Sequence, residues 1–192
     1  MSTPVTAADL PNGGIHTITQ DEPRIRALLE QSGWVSPGLS KDRFVYMVSF
    51  RSCPDCIRFE SEQFPDLHKA GIDTRVIVVA RRNKSTEPER TGVAELWAKR
   101  DWKTFLTWTG MPVQAWTAAG LPSADLDASR AAELEKSRAL VDQLRPLMAE
   151  NGIDFAYPLL IWQDKDGHLR GCACEDRASY PFVRAELGLP NS

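Results

Sequence analysis

The sequence predicts an α/β fold in which a parallel βαβ unit is followed by a helical insertion, a β-hairpin and a closing helix. Three observations carry this. The runs Phe44 to Phe50 and Thr74 to Ala80 are apolar and β-branched and are bounded by turn residues, and a helical pattern lies between them. Residues 81 to about 150 hold no strand signal and read as helical. Tyr157 to Trp162 and His168 to Cys172 flank the turn Asp164-Lys165-Asp166-Gly167, as the arms of an antiparallel hairpin do.

The elements follow in order. Residues 1 to 20 are rich in Thr, Pro, Asn and Gly and are expected to form a loose arm. Ile25, Leu28 and Leu29 share a face, and Gly33 follows as a stop, so a short helix is expected from Glu22 to Gln31. A central strand spans about Arg43 to Phe50. The next helix runs from Pro54 to Lys69, with Pro65 predicting a kink or a break into two pieces. With the strand at Thr74 to Ala80 it makes a right-handed parallel βαβ unit. In the insertion, Val93, Leu96, Trp97, Phe105 and Leu106 suggest one helix and Leu140 to Met148 another, with Pro146 a second candidate kink. Gly110 to Asp127 is a loop, and Trp97, Trp102, Trp108 and Trp116 read as core packing. A helix at about Ala178 to Leu187 closes the chain. The organisation is thus an arm and short helix at 1–40 and a domain at 41–192, with the insertion at about 81–150.

Chemistry concentrates at Cys53-Pro54-Asp55-Cys56, where strand becomes helix. A helix start offers unpaired N–H groups and a positive dipole end, both of which favour the thiolate that attacks disulfides. Cys53 is the expected nucleophile, and Cys56, one turn on, the resolving thiol. Pro54 suits the first helical turn. Asp55 places a carboxylate beside Cys53, which disfavours a second negative charge and predicts a more reducing pair. A second close pair, Cys172 and Cys174, ends the hairpin return. Four cysteines in two close pairs point to redox or metal chemistry rather than to a structural disulfide framework. Glu60, one turn past Cys56, is a candidate proton acceptor for that thiol, although glutamates on a helix face are usually solvated.

Bulk properties narrow the classes. The 192 residues suit one domain with a full core, and 26% charged against 42% hydrophobic residues argues against disorder. A net charge of −3 without a long basic run gives no nucleic-acid signature, and Arg81, Arg82 and Lys84 read as a solvated loop. No apolar stretch is long enough to cross a bilayer. The start of the chain shows no secretory leader, which is the pattern of a cytoplasmic protein or of an exported one lacking its leader here. Among the histidines His16, His68 and His168, only His168 shares an element with the second cysteine pair.

The order strand, CxxC, helix, strand, insertion, proline-opened strand, hairpin and final helix is that of the thioredoxin fold. The chain resembles the disulfide isomerases of the DsbC and DsbG type, nearest the DsbG branch, over roughly residues 40 to 190. The likeness takes in the Cys-Pro-x-Cys site, Lys103-Thr104-Phe105 late in an insert helix, and the Leu147-Met148 helix end before the proline strand. It implies a cis proline at Pro158 facing the dithiol, and a backbone edge at Tyr157 that receives substrate. It also implies disulfide-containing protein substrates, a thiol–disulfide redox partner, no organic cofactor, and a periplasmic setting if a leader is missing.

Departures from that family are specific. Tyr157 stands where a small Thr or Val is common, and Met47 where thioredoxins carry a buried acid. About forty residues replace the N-terminal dimerisation domain, so a monomer is expected rather than the family-type dimer. The CxC at Cys172 and Cys174 suggests an electron relay to or from the first pair, with cysteines of no redox consequence and a metal site as the alternatives. The leading expectation is a thiol–disulfide oxidoreductase of reductase or isomerase type, with no metal. Two alternatives are a zinc module built on the four cysteines and a thioredoxin-fold binding protein with an idle dithiol.

Overall fold

The computed structural model describes residues 14–190. Among the described residues, five strands and six α-helices form a three-layer sandwich: β1 Ile15–Thr17, α1 Glu22–Gln31, β2 Phe44–Ser49, α2 Pro54–Lys69, β3 Asp73–Val78, α3 Glu87–Lys99, α4 Trp102–Thr109, α5 Ala128–Glu150, β4 Leu159–Gln163, β5 Leu169–Ala173 and α6 Tyr180–Glu186. The sheet order is β1-β5-β4-β2-β3. β2 and β3 are parallel, while β4 runs antiparallel to β2, and β5 to β4. A βαβ unit joined through the centre of one sheet to a C-terminal ββα unit is the thioredoxin-like arrangement, and the insertion supplies α3, α4 and α5 between the two halves.

Strand alternation fixes the two faces. Arg170 reaches Glu186 of α6 at 2.7 Å, whereas a side chain at its neighbour Gly171 would strike Ile153, which follows α5, and Ile18. α6 and α5 therefore cover opposite faces. α2 lies with α6: Phe59 meets Tyr180 edge-on at 5.2 Å, and Arg184 bonds Gln63 and Asp66. On the other face α5 packs on α1 and α3. Met47, Leu160 and Cys172 stand opposite one another across β2, β4 and β5, all fully or almost fully buried, so they form a line on the α2 face.

Several expectations need correction. The arm read as loose contributes β1, whose three residues pair with Arg170 to Cys172 of β5; the rest of that reading, residues 1–13, lies outside the described residues. The helix expected across Val93 to Leu106 is two. Arg100 turns left-handed (φ 51°), and Asp101 caps α4 by accepting the Thr104 N–H at 2.8 Å. Pro65 does not split α2, and α5 runs unbroken through Pro146. Around Pro65, Phe64 and Leu67 are buried and Gln63 and Asp66 are held by Arg184, so tertiary contacts keep the segment helical. The tryptophans behave as core residues. Trp97 and Trp108 are buried, and at the rim of the core Trp116 packs on Trp108 and Trp102 stacks on Phe105. Gly33 and Gly92 matter here because a Cβ at either would collide with Trp97 or Trp108.

Candidate active site

The joint between β2 and α2 is set by Arg51. Its buried guanidinium donates to the carbonyls of Trp108, Thr109 and Met111, at 3.3, 3.4 and 2.5 Å. Trp108 and Thr109 end α4 and Met111 follows it, so the cation sits at the negative end of the helix, where it is electrostatically favoured. The insertion thus holds the turn that carries the cysteines. Burial lowers the pKa of Arg51, and Glu60 and Glu89 oppose that shift.

Cys53 is the N-cap of α2, in extended conformation, and its Sγ accepts the N–H of Cys56 at 3.1 Å. The two cysteines are joined in a disulfide with Cα atoms 5.2 Å apart. Pro54 is the exposed first residue of the helix, as its lack of an N–H suits. Asp55 does not present its charge alone, because Arg58 bonds it at 2.6 Å and so offsets the negative field expected beside Cys53. Arg58 also reaches the carbonyl of Glu175 at 2.6 Å, tying the start of α2 to the segment after β5.

Opposite the disulfide, the Tyr157 carbonyl oxygen lies 3.8 Å from Cys53 Sγ, and the Tyr157–Pro158 peptide is cis. The Tyr157 ring is edge-on to both Phe50 and Phe155, at 5.0 and 5.3 Å. Burial raises its pKa, and Arg145 and Arg81 oppose the shift. Cys53 and Cys56 are only 2% and 1% exposed, so the solvent-facing neighbours of the first sulfur are Pro54 and, further along, Ile57.

Two depressions flank this turn. On the Tyr157 side is a cleft of about 400 Å³ lined by Phe50, Arg81, Arg82, Lys84, Arg145 and Tyr157. The basic loop read as merely solvated therefore forms a wall of the site, with Arg81 stacked 3.7 Å over the Phe50 ring. On the other side an apolar groove of about 410 Å³ runs between α2 and α4, past Ile57, Phe64, Trp102 and Leu106. A third hollow, about 460 Å³, lies away from the cysteines, between the β4–β5 turn and the end of α6.

Glu60 faces the seam between α2 and α4 together with Arg51, Phe105 and Trp108. Burial pushes its carboxyl up to about 7, against the pull of Arg51. It is not the solvated glutamate that its place on a helix suggested.

Cys172 and Cys174 form a second disulfide and are each 1% exposed. All four cysteines are thus paired as disulfides, with no thiolate left for a metal. Among the described residues the one group with metal-ligand character is Asp164, Asp166 and His168, on the exposed hairpin turn. Arg51 and Arg58 escaped the reading from sequence. Arg58 follows Asp55 at i+3 spacing, a usable signal, whereas the partners of Arg51 lie 57 to 60 residues away.

Fold and site together define a thioredoxin-like domain carrying a CxxC disulfide at the start of a helix. No protein-family model matches this chain, and no curated protein matches it either. Among solved structures it is similar to a linker-deletion mutant of ScsC from Proteus mirabilis. The two are 14% identical, with a TM-score of 0.48, over 87% of this chain and 80% of that one.

Proposed function

We propose that this protein is a thiol–disulfide oxidoreductase of reductase or isomerase type acting on disulfide-bearing proteins. The observation that carries the reading is the Cys53–Cys56 disulfide capping α2, with the Tyr157 carbonyl 3.8 Å from Cys53 Sγ. In the reducing direction the Cys53 thiolate attacks one sulfur of a client disulfide, and the other client sulfur leaves as a thiolate. Cys56 then attacks Cys53, closes the internal disulfide and releases the client dithiol. Two electrons pass to the client, and a partner dithiol, itself oxidised to a disulfide, restores Cys53 and Cys56. No organic cofactor or metal enters the cycle.

Each remaining residue has a part in this reading. The helix start stabilises the Cys53 thiolate through the Cys56 N–H. Pro54 and Asp55 set the turn and its charge. Tyr157 and Pro158 offer the client backbone an edge facing the sulfur, and the basic cleft and apolar groove form the walls on either side. The likeness to DsbG and DsbC catalytic domains belongs to this proposal, as does a monomeric state.

The test is dithiothreitol-driven reduction of insulin, followed as turbidity. Wild-type protein is expected to accelerate it and Cys53→Ser to fall to the uncatalysed rate. A wild-type rate no faster than that of Cys53→Ser overturns the proposal in favour of a binding protein with an idle dithiol.

A further inference from the structure

The second disulfide occupies a particular place. Cys172 sits in the β5 ladder, opposite Ile15 on one side and Leu160 on the other. Cys174 lies one residue beyond the last residue of β5, Ala173. Its N–H donates to the Pro158 carbonyl at 2.9 Å, and the neighbouring Tyr157 carbonyl is the group beside Cys53 Sγ. The carbonyl of the residue after it, Glu175, is held by Arg58, which also holds Asp55 of the CxxC turn. Cys174 is therefore fixed from both sides by groups that touch the turn between Cys53 and Cys56. By strand alternation both cysteines of the CxC share the face that carries Leu160 and Arg170, the face covered by α2 and α6.

Structural stabilisation accounts poorly for this bridge. A disulfide constrains the unfolded chain in proportion to the loop it closes, and a bridge between residues two apart closes almost none. Burial does not set this pair apart from the first, but Cys172 lies in a strand and Cys174 just beyond it, so neither sulfur has the helix-start N–H that favours a thiolate for attack on an external client. The contacts of Cys174 and its neighbour Glu175 with Pro158 and Arg58 tie it instead to the segments that flank the other pair.

We propose that Cys172 and Cys174 are an internal redox reserve that exchanges electrons with Cys53 and Cys56, with Cys174 the sulfur that meets Cys53. The inference rests on the oxidoreductase reading of the first pair. Starting from the Cys53/Cys56 dithiol and the Cys172–Cys174 disulfide, the Cys53 thiolate attacks Cys174 Sγ. The Cys172–Cys174 bond breaks and Cys172 leaves as a thiolate. Cys56 then attacks Cys53 Sγ, the Cys53–Cys56 bond forms, and Cys174 leaves as a thiolate. Two electrons and two protons have moved from the first pair to the second, with no external oxidant; the reverse sequence recharges the first pair for a reduction. Cys174 is the exchanging sulfur because it stands outside the ladder that holds Cys172.

The decisive variant is Cys56→Ser/Cys172→Ser, which keeps only Cys53 and Cys174. After mild oxidation with diamide, peptide mapping is expected to find Cys53 linked to Cys174 in most of the monomer. The control, Cys56→Ser/Cys174→Ser, is expected to give little of the corresponding Cys53–Cys172 link. If the Cys53–Cys174 link is absent while Cys53 still forms a mixed disulfide with insulin, the reserve is overturned and the oxidoreductase stands. If Cys53 does not react with insulin either, both readings fall. Should the variants not fold, wild type and Cys172→Ser/Cys174→Ser are compared by thiol count in glutathione buffers of stepped potential. Four thiols appearing in wild type over the range where the variant gains two support the reserve, and a wild-type count that stays at two removes it.

Discussion

The two cysteine pairs have almost the same exposure and very different surroundings. Cys53 and Cys56 sit at a helix start, where a backbone N–H points at sulfur and Asp55, Arg58, Arg51 and Glu60 stand close by. Cys172 and Cys174 sit at a strand end, where the backbone N–H of Cys174 is committed to Pro158 and the row across the sheet is Leu160 and Met47. Burial alone thus does not distinguish the two pairs. The separation comes from which backbone groups remain free to stabilise a thiolate, and from charge at the helix end.

If charge distinguishes the helix-end pair, pH sensitivity should be seated there, and Glu60 gives the largest effect. Its carboxyl is raised from about 4.5 to about 7, so between those values the folded protein holds a proton that the unfolded chain has released. Stability on this account is greatest below pH ~4.5, falls as pH rises towards ~7, and is level above; at 1.36 kcal/mol per unit the loss is roughly 3 kcal/mol. Glu60→Gln is expected to flatten that slope and to stabilise the protein at pH 8, read from urea midpoints at pH 5 and pH 8. An unchanged slope would place the titration elsewhere.

A smaller effect is expected from Arg51→Ala, which strips a charged donor from three carbonyls at the end of α4. A loss of about 2 kcal/mol follows from removing these charge-assisted hydrogen bonds. With the cation facing it gone, the Glu60 carboxyl should also move further upward. Thermal unfolding of the single and double variants with Glu60→Gln reads both, and additive losses would show that the two residues do not communicate.

Much of the fold was legible because its elements carry strong periodicity. The helix Glu22–Gln31 has the predicted bounds, and β2, β3, the hairpin and α6 fall within a few residues of theirs. β1 was not legible, since three residues carry no alternation and the strand exists only because the β5 edge supplies its hydrogen bonds. The split between α3 and α4 depends on one left-handed residue, Arg100, that apolar spacing does not report. In the candidate site, the placement of local features was readable: the CxxC at the helix start, its proline, and the proline strand facing it. Arg51 holding α4 and the basic loop walling the cleft were not, because each is a contact between segments far apart in sequence. The near-complete burial of Cys53 had no sequence signal either.

The contrast between the pairs is tested most directly by the order in which the fully reduced, folded protein is alkylated. With limiting iodoacetamide near neutral pH and peptide mapping over time, Cys53 is expected to be labelled first, and Cys172 and Cys174 to be protected until the protein unfolds. Labelling of Cys172 or Cys174 as fast as Cys53, or a Cys53 that reacts only on unfolding, would contradict the assignment of the helix-end sulfur as the nucleophile.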